Sequence, residues 1–263
     1  MCNEGVTLLG LGEVDQASLD ALASGLSGYS FGIVRDDRAP PQGRHVGVIY
    51  RDDVIKVIYK LQLGTMWGGQ YLSGGLALEL STVLTHTTVT MFVVHWHSRT
   101  IEAQGERRSA AASQLQTRIE SIINRFEEPH IVVMGDFNDE PFDKALTEGL
   151  LGSRDRDIPR KHHTRLYNPF WRMMGERHAV EDELAGHVAR GPRGTYYCRS
   201  SRSTHWHTFD QILVSSAFLD SKRLTLRERQ TRIWYEEPLA NDSGRIAGQF
   251  DHLPVLIEAQ EIS

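Results

Sequence analysis

A carboxylate and a carboxamide follow a short apolar run near the middle of the chain. Residues 131–138 read Ile-Val-Val-Met-Gly-Asp-Phe-Asn, so that Asp136 and Asn138 stand directly after the run. The run predicts a buried strand, and residues two apart in an extended segment point the same way. The two side chains could therefore converge on one ligand at a strand end. An Asx turn that only closes the strand explains the same residues equally well.

Further acids and imidazoles stand at the ends of other predicted strands. Glu13 and His97 each close an apolar run, whereas Asp210, Asp251 and His252 each precede one. Taken singly, each is explained by a solvated strand end, a turn or a hydrogen-bonded histidine. Together they indicate one polar site. Carboxylates, an amide and imidazoles in one site can hold a cation and position a water.

The order of these motifs resembles that of the endonuclease/exonuclease/phosphatase superfamily, which has the DNase I-like fold. Gly-Asp-Phe-Asn at 135–138 matches the family motif outright, whereas Gly12 replaces a Gln and Phe250 replaces a Ser. The paired Gly-Asp-x-Asn and Asp-His-x-Pro motifs are highly specific. The resemblance covers nearly the whole chain through five segments: Gly12-Glu13-Val14, His95-Trp-His97-Ser98, Gly135-Asp-Phe-Asn138, Phe209-Asp210-Gln-Ile-Leu and Phe250-Asp251-His252-Leu-Pro-Val.

The resemblance implies catalytic roles for five side chains. Asp136 is expected to orient or deprotonate the attacking water, with Asn138 binding the phosphate beside it. His252 is expected to contact the scissile phosphate and to be oriented by Asp210. His97 is expected to donate a hydrogen bond to a non-bridging oxygen.

Metal and substrate contacts complete the expected site. Mg²⁺, or alternatively Mn²⁺, is expected at Glu13 with a contribution from Asp251, since Mg²⁺ takes only one or two protein carboxylates. Trp206, just before Asp210, is expected to line the substrate pocket rather than the core. Trp171 is explained equally by core or pocket packing, and Tyr196 is expected to pack near the site. The candidates for substrate contact are Trp206, Tyr196, Trp171 and Arg99.

Two His-Trp-His triplets, at 95–97 and 205–207, allow a different interpretation. Histidines two residues apart can ligate zinc. The further Asp-His of metallohydrolases is missing after His97, where Ser98 and Arg99 follow. We therefore favour Mg²⁺ over zinc.

Short strands and two long helices must position these residues. Strands are predicted at 6–11, 45–50, 54–59, 76–80, 89–94, 131–134, 212–214 and 253–258, and helices at 16–26, at 106–126 and, shorter, after Pro141. The resemblance implies an α/β fold, a four-layer α/β/β/α sandwich of two mixed sheets with the site at one edge. We expect one catalytic domain over residues 1–263, with a loop-rich insertion at about 153–207.

The beginning of the chain departs from the family pattern. Family members open with a strand that carries an Asn near the metal, well before the Glu. Only twelve residues precede Glu13. The usual first strand is therefore expected to be missing, or its Asn to be replaced by another residue.

Composition excludes several classes of protein. The 263 residues are 40% hydrophobic and 24% charged, which is typical of a folded globular protein rather than a disordered or coiled-coil chain. Two cysteines exclude a disulfide scaffold and a cysteine zinc finger. A net charge of -5 leaves no overall positive field for nucleic acid. No apolar run spans a membrane and no secretory signal is seen, so a cytoplasmic protein without membrane insertion is expected.

Hydrolysis of a phosphodiester, most readily in DNA or RNA, is the function that these observations favour. The segment 153–207 is rich in arginine and aromatic residues, which suits single strands or ends of nucleic acid. A phosphatase or phosphodiesterase for a small phosphorylated molecule or a lipid head group is the alternative, since fold does not select the substrate. A third possibility is an inactive binding or scaffold relative. The oligomeric state is left open.

Overall fold

Sixteen strands and four α-helices are assigned in the described part of the chain. The computed structural model describes residues 5–35, 45–99, 105–174, 194–220, 223–234 and 251–262. In chain order the elements are β1 (Leu8–Val14), α1 (Gln16–Gly25), β2 (Phe31–Arg35), β3 (His45–Arg51), β4 (Ile55–Trp67), β5 (Gln70–Thr82), β6 (Thr88–His95), α2 (Glu106–Arg125), β7 (His130–Asp136), β8 (Gly152–Ser153), α3 (Asp157–Lys161), β9 (Leu166–Tyr167), β10 (Tyr196–Tyr197), β11 (Trp206–His207), β12 (Asp210–Val214), α4 (Ala217–Asp220), β13 (Leu224–Leu226), β14 (Arg232–Ile233), β15 (Val255–Leu256) and β16 (Ala259–Glu261).

Seven strands form the larger sheet, in the order β4-β5-β6-β7-β12-β9-β8. The β6–β7 and β8–β9 pairs are parallel and the others are antiparallel, so this sheet is mixed, as predicted. A second sheet has the order β1-β3-β2. Its described strands are all antiparallel, so the mixed character expected of both sheets is observed in the larger one. Three two-stranded pairs complete the topology: β10–β11, β13–β16 and β14–β15.

The larger sheet is buried on both faces because its side chains alternate between two cores. In β6, Met91 and Val93 pack toward Val48 of the second sheet, whereas Phe92 and Val94 pack toward α2. Successive strand residues point to opposite faces, so a strand buried on both sides reads as a continuous apolar run. This is why the central strands were predictable from the sequence.

Two helices cover the outer faces. α1 begins at Asp15, whose carboxylate accepts a hydrogen bond from the Ser18 backbone N–H at 2.8 Å. It packs on the second sheet through Leu19, while α2 packs on the larger sheet through Leu115 and Ile119. The predicted four-layer α/β/β/α order is therefore confirmed.

Several predicted boundaries are corrected by the structure. β4 and β5 form a hairpin much longer than predicted, because backbone pairing continues through glycine-containing sequence that breaks the apolar pattern. β2 was not predicted, and the predicted strand 253–258 is reduced to β15. The helix expected after Pro141 is a π-helix, Ala145–Gly149.

The insertion at 153–207 contains β8 to β11, the short helix α3 and a 3₁₀ helix, Pro169–Met173, while residues 175–193 lie outside the described part. None of the described helices is both long enough and apolar enough to cross a membrane.

The anchoring of α1 can be tested with two leucines on the same helix. Leu19 is fully buried, whereas 42% of Leu22 is exposed. We expect Leu19→Ala to lower the free energy of unfolding by about 2–5 kcal/mol, because it leaves a cavity between α1 and the second sheet. Leu22→Ala, the matched control, should change it by less than about 1 kcal/mol. Urea denaturation measures both, and equal effects would contradict this packing.

Candidate active site

Three polar side chains lie side by side where neighbouring strands of the larger sheet begin or end. His95 ends β6, Asp136 ends β7 and Asp210 begins β12, and the strand register pairs Asp136 with each of the others. Side chains alternate along a strand, so His95 and Asp136 lie on the same faces of β6 and β7 as Met91 and Val132, which point toward the second sheet. The row therefore opens at the edge of the core between the two sheets, where the site was predicted.

An imidazole–carboxylate pair is attached to this row. His252 Nδ1 lies 2.7 Å from Asp210 Oδ2. Burial lowers the pKa of His252, but the Asp210 carboxylate outweighs it and, with Asp136 and Asp251, raises this pKa to about 9. With its pKa raised to about 9 and its Nδ1 atom bonded to Asp210, His252 is a fixed cation near neutral pH. The predicted orientation of His252 by Asp210 is present in the geometry.

Asp136 is held by its neighbour Asn138. The Asn138 backbone N–H donates to Asp136 Oδ1 at 2.8 Å, and Asn138 Nδ2 donates to Asp136 Oδ2 at 2.9 Å and to the Trp96 carbonyl at 2.9 Å. The Asx turn considered from the sequence is therefore formed, and it lies within the site. Burial and the nearby Asp210 carboxylate raise the pKa of Asp136 to about 7. Both donors of the Asn138 amide are occupied, which favours a positioning role.

Gly135 allows the backbone to make this turn. Its φ of +138° lies in a region that glycine enters without steric penalty. A Cβ atom at this position would lie 1.9 Å from the carbonyl oxygen of Val94. Any other residue would therefore push β7 away from β6 and separate Asp136 from His95.

Glu13 reaches the site from the opposite sheet through a β-bulge. Leu11 pairs with Gly47 and Val14 with His45, so β1 has one residue more than β3 in this interval. Glu13 has a positive φ of 54°, which is uncommon for a residue other than glycine. Its Oε1 atom lies 3.6 Å from His95 Nε2, and the side chain is 60% exposed.

The charges of the site fit a divalent cation. Four carboxylates act on His95: Glu13 and Asp136 lie 3.6 and 3.7 Å from its Nε2 atom, and Asp210 and Asp251 interact with the ring electrostatically. Burial lowers the pKa of His95, so that His252 is the fixed cation within this set. One side-chain atom each of Asp136, Asp210 and His252 lies within 4.8 Å of the others, so the two carboxylates converge beside the cationic ring. Oxygen-rich sets of this kind suit Mg²⁺ or Mn²⁺. The exposed Glu13 and Asp251 lie outside this closest trio.

Buried ion pairs hold the loop that follows Asn138. Arg108 is 2% exposed, and its Nε atom donates to Asp139 at 2.9 Å. Arg99 donates to the Asn138 carbonyl at 2.8 Å and pairs with Asp139 and Asp143. Burial raises the pKa of Asp139 to about 6 in spite of the two arginines. Arg99, predicted to contact substrate, is thus committed to this loop in the structure.

The other residues predicted to contact substrate lie in different surroundings. Tyr196 packs against His252 with a tilted ring, 4.7 Å between the centroids, and so lies near the site. Trp206 is 9% exposed in a small core cluster with Ile233 and Leu253, which favours its structural explanation over substrate contact. Trp171 lies beside Phe142 and Arg154, in an arginine-rich cleft of about 830 Å³.

Two histidines of the site region carried weaker signals in the sequence. The His97 side chain, predicted to contact phosphate, is half-buried, and its carbonyl accepts from Arg108 at 3.0 Å. His95 stands in the row itself and was not selected. The alternation of side chains along a strand could have identified it, because Met91, Val93 and His95 are spaced two apart and share one strand face.

Comparison with known proteins identifies the family of the chain. Residues 2–254 match the model of the endonuclease/exonuclease/phosphatase family. No curated protein matches the sequence significantly.

Several solved structures resemble this one. A family protein from Bacteroides thetaiotaomicron is 18% identical, covers 98% of this chain and 85% of its own, and has a TM-score of 0.61. A mannosyl-6-phosphatase from the same bacterium has the same identity and TM-score, with 98% and 87% coverage. D. rerio TDP2 complexed with a single-strand DNA product is 16% identical, with 96% and 85% coverage and a TM-score of 0.52. At these identities the likeness establishes the fold.

The Asp210–His252 pair makes a testable electrostatic prediction. In Asp210→Asn we expect the pKa of His252 to fall from about 9 toward its ordinary value of 6.5, because burial persists while the main opposing carboxylate is lost. NMR titration of the histidine rings, in chelator, measures this directly. The signal of the exposed His163 ring is the internal reference. An unchanged His252 midpoint would contradict the assignment.

The same pair should contribute to stability in a defined pH window. A raised folded-state pKa stabilises the protein fully below 6.5, and this contribution disappears as the pH rises through about 9. The loss of unfolding free energy in Asp210→Asn should therefore be larger at about pH 6 than at about pH 10. Urea denaturation at the two pH values checks the sign.

Proposed function

The chain belongs to the endonuclease/exonuclease/phosphatase family, and from this premise we propose that it is a Mg²⁺-dependent nuclease that hydrolyses phosphodiester bonds in DNA or RNA. This family consists of metal-dependent phosphoesterases. The observation that carries the proposal is the convergence of Asp136, Asp210 and His252 within 4.8 Å. These residues come from three distant parts of the chain, and a turn motif alone would not bring them together.

Asp136 is the proposed acceptor of the proton from the attacking water. A general base works best when its pKa lies near the working pH, and the pKa of Asp136 is raised to about 7. Its two oxygens accept hydrogen bonds from Asn138, which fixes the plane of the carboxylate. Asn138 thus serves in this proposal mainly to position Asp136.

His252 is the proposed donor to the phosphoryl oxygens. With Nδ1 bonded to Asp210, the ring presents its opposite nitrogen, Nε2, on another edge. A cationic N–H opposite a phosphoryl oxygen stabilises the charge that develops in the transition state. His97 remains a proposed second donor.

The carboxylates of the site are the proposed metal ligands. Glu13 and Asp251 would hold the cation, with Asp136 and Asp210 near it. When bound, the ion neutralises phosphoryl charge and helps to lower the pKa of a water.

Nucleic acid is the substrate that we favour, and a small phosphate ester is the second candidate. Tyr196 offers an aromatic ring directly beside His252, and aromatic rings are stacking platforms for bases. Among structural neighbours, TDP2 is complexed with single-strand DNA, which supports the first substrate class. The mannosyl-6-phosphatase supports the second. In an inactive scaffold relative, the charged row of His95, Asp136 and Asp210 would have no role, which is why we favour an enzyme.

Hydrolysis assays test the proposed function. We expect turnover of a single-stranded oligonucleotide and of bis(p-nitrophenyl) phosphate with Mg²⁺ or Mn²⁺, and none after EDTA. Asp136→Asn should lower kcat by about 10²–10⁴-fold, because it removes the general base. Asp20→Asn, an exposed substitution on α1, is the matched control and should keep full activity. Wild-type rates in Asp136→Asn would refute the role, and no metal-dependent turnover by the wild type would favour the scaffold.

A further inference from the structure

A second imidazole–carboxylate pair lies close to the first. His207 Nδ1 is 2.9 Å from Glu140 Oε1, and Glu140 Oε2 accepts the Thr208 backbone N–H at 3.0 Å. The side chains are 13% and 9% exposed, respectively. An ionised carboxylate can only accept, so His207 Nδ1 is the donor. The ring is therefore held in one orientation, and its Nε2 lies on a different edge.

Backbone pairing places this ring on the same face as His252. Tyr196 pairs with His207 on one side and forms a β-bridge with His252 on the other. The Leu253 N–H donates to the Thr195 carbonyl at 2.7 Å, which extends the pairing. Side chains of directly opposed strand residues point to the same face. Adjacent strands lie about 4.8 Å apart, so His207 stands two strand spacings from His252.

Ring contacts join His252, Tyr196 and His207 into one continuous surface. Tyr196 lies 4.7 Å from the His252 ring and 6.5 Å from the His207 ring, centroid to centroid. Phe209, which is 4% exposed, stacks against both Tyr196 and His207, with 5.5 and 4.9 Å between ring centroids. The buried phenyl ring thus supports both neighbouring rings. One oriented imidazole, that of His252 or that of His207, therefore stands on each side of the Tyr196 ring.

An aromatic ring with an oriented imidazole on each side suits a nucleotide flanked by two phosphates better than an isolated phosphate ester. We propose that His207, positioned by Glu140, is a specificity-determining residue that binds the phosphate next to the scissile one in a nucleic acid, while Tyr196 contacts the nucleoside between them. When both ring nitrogens carry protons, Nε2–H is a charged donor, which suits a phosphodiester oxygen. The inference rests on the proposed function and narrows its substrate class to polynucleotides.

Matched substrates that differ by one phosphate test this role. The first pair is thymidine 5′-(p-nitrophenyl phosphate) with and without a 3′-phosphate. The second pair is thymidine 3′-(p-nitrophenyl phosphate) with and without a 5′-phosphate. In one pair we expect wild-type kcat/KM to be about tenfold higher with the additional phosphate, as for one charged hydrogen bond. The pair that responds gives the polarity of binding.

His207→Gln should abolish most of this preference. The change should appear in KM rather than in kcat, because the contact does not touch the reacting atoms. Glu140→Gln should lower the preference in the same direction, since the ring loses its fixed orientation. His163→Gln, which replaces an exposed histidine bonded to Ser216, is the matched control and should keep the preference.

A binding measurement gives a second readout that a structural role would not change. With Asp136→Asn to prevent turnover, fluorescence anisotropy of a labelled dT12 oligonucleotide gives Kd at several salt concentrations. Each phosphate contact contributes about 0.7 to the slope of log Kd against log salt for single strands. His207→Gln should reduce that slope by about this amount.

The outcomes separate the two proposals. No wild-type preference in either substrate pair, or an equal loss for both members of a pair in His207→Gln, would overturn the role of His207. Either result with intact metal-dependent hydrolysis would leave the proposed function standing. Absence of hydrolysis by the wild type with any of the substrates would instead remove the proposed function itself.

Discussion

The site depends on the strand register that aligns His95, Asp136 and Asp210 across β6, β7 and β12. A shift of one residue in β7 or β12 would turn its acid away from the space between the sheets, because side chains alternate along a strand. The same alternation puts Met91 and Val132 into the core between the sheets. Burial of these apolar side chains thus fixes the register, and the register fixes the polar row. Stability and chemistry are linked through one geometric constraint.

Assembling this row brings together charges that repel each other. Asp136 and Asp210 face each other across a strand pair, and burial together with the Asp210 carboxylate raises the pKa of Asp136 to about 7. Glu13 and Asn138 both have positive φ angles, which indicates local strain at the positions that approach the site. The His252 cation, paired with Asp210, offsets part of this penalty, since it lowers the pKa of Asp136. A divalent cation would relieve the remaining repulsion.

The apolar pattern was sufficient to predict α1, α2 and the central strands, because each buries one face or both faces against a neighbour. It did not predict the long β4–β5 hairpin, whose pairing depends on backbone hydrogen bonds rather than on apolar side chains. Asp136, Asp210 and His252 were predicted through motifs of consecutive residues. His95 was not selected, since its role follows from alignment with Asp136 on another strand. The Glu140–His207 pair joins residues 67 positions apart, and no local motif connects them.

The sequence alone determined which residue types are available and where strands begin and end, because both are encoded locally by side-chain chemistry and by apolar periodicity. It therefore determined the family and the main acids of the site. The tertiary structure decided which polar groups face one another: Asp210 with His252, Glu140 with His207, and Glu13 with His95 across the two sheets. It also placed Trp206 in a small core cluster and Arg99 against the loop that follows Asn138. Those partnerships depend on register and on sheet-to-sheet packing, which are properties of the whole chain.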